Sequence, residues 1–362
     1  MFDTNYTEIL NRVKQIDPVA YGRSRNFADG AVTKLSPYIS RGVISTRFVM
    51  NSLLNRGFEV TQMQKLIQEL AWRDYFQQVW KSKGDDINQD LKNNQNGVKH
   101  HHMPFAVLNT QIGIQAIDQG IKDLYRNGYM HNHIRMYVAS IACNLGGSHW
   151  KTPSKWLYYH LLDGDHASNT LSWQWVAGAF SNKRYFANQD NINKYCHTHQ
   201  KDTFLDVGYD QFNTMSTPPV LEKTCLPELI TILPPTKEIN VHKEKPTLIY
   251  NSYNLDPEWK KPEDANRILL LEPSHFNTYP VSDKTISFVL ALAENIPGIQ
   301  VFTGEFNDLV NKYDLKKIYF KEHPFNVHYK GIQESRDWMF NIEGYYPSFF
   351  KFWKKCEKEL GI

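Results

Sequence analysis

Cysteine is scarce in this 362-residue chain: there are 4, at Cys143, Cys196, Cys225 and Cys356, and no CxxC pair. That excludes a disulfide-stapled scaffold and a closed thiolate zinc site, and it suits a reducing compartment. No apolar run approaches the roughly 20 residues that a membrane span needs. The start, MFDTNYTEIL, has no basic stretch followed by an apolar one, so no secretory leader is expected. Charge of one sign is not in excess: 41 Lys and Arg against 38 Asp and Glu leave +3. That permits a local basic patch for nucleic acid without announcing one. Internal repeats and low-complexity tracts are absent too. The expectation is a soluble, cytoplasmic monomer with no membrane partner.

Aromatics are plentiful, at 9 Trp, 20 Tyr and 20 Phe. Such an excess serves core packing, base stacking or a ring-shaped cofactor, and composition does not choose among them. The length allows two domains with full cores. Up to about residue 180 the apolar spacing is helical, as in Leu66, Leu70, Trp72, Tyr75, Phe76 and in Ile114, Ile117, Ile121, Leu124. Tyr137 to Leu145 reads as a helix buried on most sides. Prolines punctuate 202–245, which reads as a connecting segment. Beyond it, Thr247 to Tyr250, Ile268 to Leu271, Gln300 to Thr303 and Lys317 to Phe320 are short β-prone runs. A helix is expected over Thr285 to Ile296, stopped by Pro297-Gly298, and an amphipathic one over Ser348 to Leu360. The predicted organisation is a helical domain over 1–200, a linker over 201–245 and a small parallel-sheet α/β domain over 246–362.

Three segments carry chemistry. In the first, Thr33, Lys34, Leu35 and Ser36 follow Tyr21, Arg23 and Arg25. Hydroxyls and free N–H groups at a helix start can cradle a phosphate, or simply cap the helix. In the second, Glu69, Trp72 and Arg73 lie three to four apart and share one helix side. They could line a cavity, or form a surface ion pair beside a core indole. The third runs through GYMHNHIRM and on to Trp150 and DGDHASNTLSWQW. Asp163 and Asp165 flank Gly164 and could bind metal, cap a helix or accept bonds from a ligand. A calcium loop is excluded because its later ligand positions and closing Glu are missing. His100, His101 and His102 read as a solvated loop, and no metal is expected at Cys196, His197 and His199.

Taken in order, ELAWRDYF, GYMHNHIRM and LLDGDHASNTLSWQW resemble the flavin domain of DNA photolyases and cryptochromes, over about residues 10 to 185. The resemblance implies a helical, photolyase-type FAD-binding domain followed by the α/β domain. That α/β domain could be an antenna-like unit, relocated from the place before the flavin domain, or a plain packing domain; the antenna chromophore itself is unknown. Tyr21, Thr33, Leu35 and Ser36, aided by Lys34, fall where the family holds the pyrophosphate. Arg73, Asn132, Arg135, Asp163, Asp165 and Asn169 match residues that grip the flavin, with Asn169 facing N5. Glu69, Trp72, Met136 and Trp175 match the contacts to a cyclobutane pyrimidine dimer. Trp173 and Trp150 match the inner members of an electron-transfer chain of tryptophans.

The resemblance therefore implies a deoxyribodipyrimidine photolyase, a carbon–carbon lyase, acting on UV-damaged DNA with FAD. The alternative it leaves is a cryptochrome-like blue-light sensor that binds FAD without repair. Asn132 and Met136 stand where (6-4) enzymes have histidines, so cyclobutane dimers are the expected lesion. An iron–sulfur branch is excluded, since Cys196 alone falls near its cysteine cluster. Three departures accompany the match. The outer tryptophan position is Val107, which leaves Trp156 or Tyr158 as the exit. Two DNA-contacting arginines are replaced by His133 and Ala187. One hydroxyl of the usual Thr-Ser-x-Leu-Ser is lost, because the stretch here reads Val-Thr-Lys-Leu-Ser.

Overall fold

A computed structural model describes residues 2–362. Its backbone groups into two compact units, each discontinuous in sequence. One contains the chain up to Ile16, Thr33–Tyr75 and Ile230–Ile362; the other contains Asp17–Val32 and Phe76–Leu229. The long helix Val60–Lys83 is shared between them after Tyr75.

The first unit is organised by a five-stranded sheet. In spatial order its strands are Ile299–Thr303, Asn266–Leu271, Thr247–Tyr250, Ile318–Lys321 and Ile332–Glu334, and every pairing is parallel. The apolar runs TLIY and NRILLL fit this position, because a strand covered on both faces has no polar side to show. Helices Asp283–Ala293 and Phe306–Tyr313 carry the chain between strands. Ile249, Ile268, Leu270, Phe302, Phe306 and Phe320 form one core cluster beneath them. Four strands lie within two residues of the β-prone runs. The fifth, Ile332–Glu334, is three residues long with Ile332 47% exposed, so it lacks the apolar signature that marks a strand.

The same unit holds the helices Ser36–Ser40 and Thr46–Asn55 and the C-terminal helix Phe349–Leu360. Ser348 caps that last helix, its side chain accepting the Lys351 N–H at 3.4 Å. Asp74 ties two stretches of the unit together. Its carboxylate accepts the Thr46 hydroxyl at 3.1 Å and the Met339 N–H at 2.9 Å, and burial pushes its pKa up.

The second unit is helical. Gln115–Asn127, Asn132–Ala139, Lys151–His160 and His166–Ala177 surround a core that includes Val107, Ile121, Leu124, Val138, Trp150, Trp156 and Trp173. The buried helix expected over Tyr137 to Leu145 begins as α and widens to a π turn over Ser140–Leu145. Asn144 sits in the widened turn, where its Nδ2 donates to the carbonyls of Val176 at 3.1 Å and Tyr185 at 2.8 Å. Among the described residues, no helix is long and apolar enough to cross a membrane.

Candidate functional site

In the helical unit the sequence-predicted residues gather around the 161–165 turn. Gly128 ends its helix with φ 67°, and its carbonyl accepts the Leu162 N–H at 2.8 Å. A Cβ at Gly128 would lie 2.6 Å from Leu162 Cγ, so this glycine is required for the close approach. The turn so held presents Asp163, whose side chain is 4% exposed. Arg135 Nη2 lies 2.8 and 3.0 Å from the two Asp163 oxygens, while its Nε donates to the Met130 carbonyl at 2.8 Å. One side of the guanidinium is thereby fixed by backbone and the other by charge.

Asp165 has structural work. It caps His166–Ala177, one oxygen accepting the Ser168 N–H at 2.7 Å, and the other oxygen accepts Gln77 Nε2 at 2.5 Å. Asn169, one turn on, donates its Nδ2 to the Ser154 carbonyl at 2.9 Å. That bond fixes the amide and leaves its carbonyl oxygen as the group free to face a ligand. His166 is buried, with Nε2 2.9 Å from the Asn88 side chain, and desolvation lowers its pKa to about 4.

The remaining predicted positions of this unit are spread out. Trp150 and Trp173 are buried, at 1% and 2% exposure, and Trp150 Nε1 donates to Asp90 at 2.6 Å. Trp175 is 38% exposed, Met136 and Tyr21 are half-buried, and Asn132 is exposed at the start of its helix. Val107 is fully buried, and Trp156, also buried, donates its Nε1 to the Tyr125 hydroxyl at 3.1 Å. His133 is packed: its Nδ1 is 2.8 Å from the Asn26 carbonyl, its ring stacks on Tyr137, and burial lowers its pKa. The histidines at 100–102 are tied in part, with His100 Nε2 3.0 Å from the Gly146 carbonyl and His101 stacked on His149.

In the first unit, Lys34 adopts φ 53°, a left-handed conformation uncommon for a residue with a side chain. Thr33 Oγ1 accepts the Leu35 N–H at 3.3 Å, and Ser36 opens a short helix with no side-chain cap bond. Arg73 Nη2 is 3.4 Å from the Ile39 carbonyl in that helix. Glu69 and Trp72 precede Arg73 on the Val60–Lys83 helix, both half-buried. Trp72 has a partner that motif spacing did not reveal: Phe349 lies 3.7 Å away between ring centroids, 10° from parallel.

A cavity of about 300 Å³, lined in part by Arg73, lies in the first unit, where strand order reverses between Thr247–Tyr250 and Ile318–Lys321. Asn254, Tyr253 and His323 line it beyond the strand ends. Asn254 is 6% exposed and its Nδ2 has no partner among the described residues.

A guanidinium–carboxylate pair, an oriented amide and buried indoles form a donor set that fits an isoalloxazine ring, whose edge offers both hydrogen-bond donors and acceptors. Comparison with known proteins gives the same direction. Residues 66–206 match the family described as the FAD binding domain of DNA photolyase. A deoxyribodipyrimidine photo-lyase of Alkalihalophilus pseudofirmus is 27% identical over 161 residues, covering 43% of this chain and 34% of that protein. A cryptochrome DASH of Danio rerio is 31% identical over 196 residues, covering 49% of this chain and 37% of that protein. The chain thus spans little more than a third of these curated relatives. A solved cryptochrome from Synechocystis is 26% identical with a TM-score of 0.48, covering 54% of this chain and 44% of that one.

Proposed function

We propose that this chain, whose residues 66–206 match the FAD binding domain of DNA photolyase, reverses cyclobutane pyrimidine dimers in UV-damaged DNA under light. The observation that carries the reading is Asn169, its amide nitrogen held by Ser154 and its carbonyl oxygen left available. When bound and reduced, FAD supplies the electron that opens the dimer and receives it back. Arg135, paired with Asp163, would offer positive charge to an anionic ring edge. Thr33, Lys34, Leu35 and Ser36 with Tyr21 would bind the pyrophosphate, and Arg73, Asn132 and Asp165 would complete the grip.

Glu69 has the roles of hydrogen-bonding the lesion and holding a proton at one of its carbonyl oxygens. Trp72, Trp175 and Met136 offer the apolar stacking surface that a base extruded from the duplex requires. Trp173 and Trp150 are the residues proposed to relay electrons inward, with Trp156 or Tyr158 as an exit in place of Val107. The 246–362 region is proposed as the relocated antenna-like domain. An absorbance band in the purified protein beyond those of flavin tests that assignment.

Purified, reduced protein is to be illuminated with dimer-containing single-stranded and duplex DNA. Recovery of intact thymine in either supports repair; recovery in neither overturns it.

One observation favours a second reading, a blue-light sensor that keeps flavin and does no repair. His133 is packed, with burial lowering its pKa, and Ala187 is buried at 6% exposure, so neither position offers a phosphate contact. Flavin photoreduction with no thymine recovery is the outcome that selects the sensor.

A further inference from the structure

The C-terminal helix Phe349–Leu360 lies outside the matched flavin region, and its two faces have different chemistry. Phe349, Phe352, Trp353 and Cys356 are buried. Phe350 is 65% exposed, and Lys351, Lys354, Lys355 and Lys358 are exposed as well. At about 100° per residue these five side chains fall within one arc of roughly 140°. None of the four lysines forms an ion pair among the described residues. Glu359 is turned to a different task, since its carboxylate accepts the Asn341 N–H at 3.2 Å.

The helix starts against Trp72. Phe349 stacks on that indole, and Phe350 meets it edge-on at 6.5 Å and 78°. An exposed aromatic beside unpaired lysines is the combination that binds a nucleic-acid strand, with a ring for a base and cations for the phosphates. Lys351 to Lys358 spans about 10 Å of helix, enough for about two successive phosphates. We propose that this helix is an accessory DNA-binding surface: Phe350, Lys351, Lys354 and Lys358 hold the sugar–phosphate backbone flanking the lesion. The proposal rests on the repair reading for its placement of Trp72 and deepens it by naming a surface.

The test uses the full FAD-loaded protein and its Lys351→Ala/Lys354→Ala/Lys358→Ala variant. Binding to damaged and undamaged duplexes is followed by fluorescence anisotropy across salt concentrations, and repair is measured alongside. Phosphate contacts release counterions, so the slope of log affinity against log salt should fall by about two in the variant. At low salt the affinity should drop about tenfold or more, equally for damaged and undamaged DNA, because backbone contacts carry no base information. A Lys→Arg triple variant should keep the parent slope. A variant slope equal to the parent's overturns the proposal. If the parent binds DNA but repairs none, the repair reading fails, and the slope still decides this surface. A parent that binds no DNA at any salt concentration sinks both.

Discussion

Trp72 and Phe349 stack at 3.7 Å although one belongs to the Val60–Lys83 helix and the other to the last helix of the chain. One face of the indole is therefore covered by the protein. The position matched to a lesion contact is thus packed against a residue outside the matched flavin region.

Removing Phe349 should be felt twice. Phe349→Ala empties a site 2% exposed and should cost about 3–5 kcal/mol in denaturant unfolding. At temperatures where the variant stays folded, affinity for dimer-containing DNA should fall more than affinity for undamaged DNA. Equal losses on both substrates would show that the stack does not orient Trp72.

Arg135→Leu leaves the Asp163 carboxylate buried with its cation gone. The loss should be about 2 kcal/mol, below the 3–5 of a fully buried pair, because Arg135 is 21% exposed. Copurifying flavin, read from visible absorbance per protein, should drop sharply, and Asp163→Asn should be milder. Unchanged flavin content in Arg135→Leu removes the pair from the cofactor site.

Glu69→Ala is expected to lower dimer splitting by roughly tenfold to a hundredfold, the worth of one charge-assisted hydrogen bond. The flavin-to-protein ratio should stay the same. Loss of flavin in this variant would mean that Glu69 belongs to the cofactor site.

Stability should vary with pH through His166. Its folded pKa is lowered to about 4 by burial, against 6.5 in the open chain. Between those values the unfolded chain binds a proton that the folded chain refuses. The contribution is complete above about pH 6.5 and declines as pH falls toward 4, by up to about 3 kcal/mol. His166→Gln should flatten this part of the unfolding profile measured from pH 7 to pH 4.

Much of the fold could be read from the residues because the signals were local. TLIY and NRILLL are apolar throughout, and strands buried on both faces demand that. Ser348 before a lysine-and-phenylalanine helix marked its start for the same kind of reason. Ile332–Glu334 escaped, since a three-residue edge strand is defined by its neighbour and not by its side chains. The π turn at Ser140–Leu145 also escaped, because it answers to two distant carbonyls.

Within the candidate site, Arg135 and Asp163 were each legible as flavin-gripping positions, while their pairing with one another was not. Gln77 was not, though it lies four residues after Arg73 on the same helix, and that periodicity could have exposed it as the Asp165 partner. Asp90 and Ser154 left no trace in the motifs. Their roles toward Trp150 and Asn169 come from packing between segments remote in sequence.

The contact of Gly128 with Leu162 makes one hydrogen atom consequential. An alanine at 128 would press its methyl group into the leucine that immediately precedes Asp163. The displaced carboxylate would part from its guanidinium. A preparation that ought to be yellow would come off the column pale, a phenotype visible by eye from a change that touches no ligand.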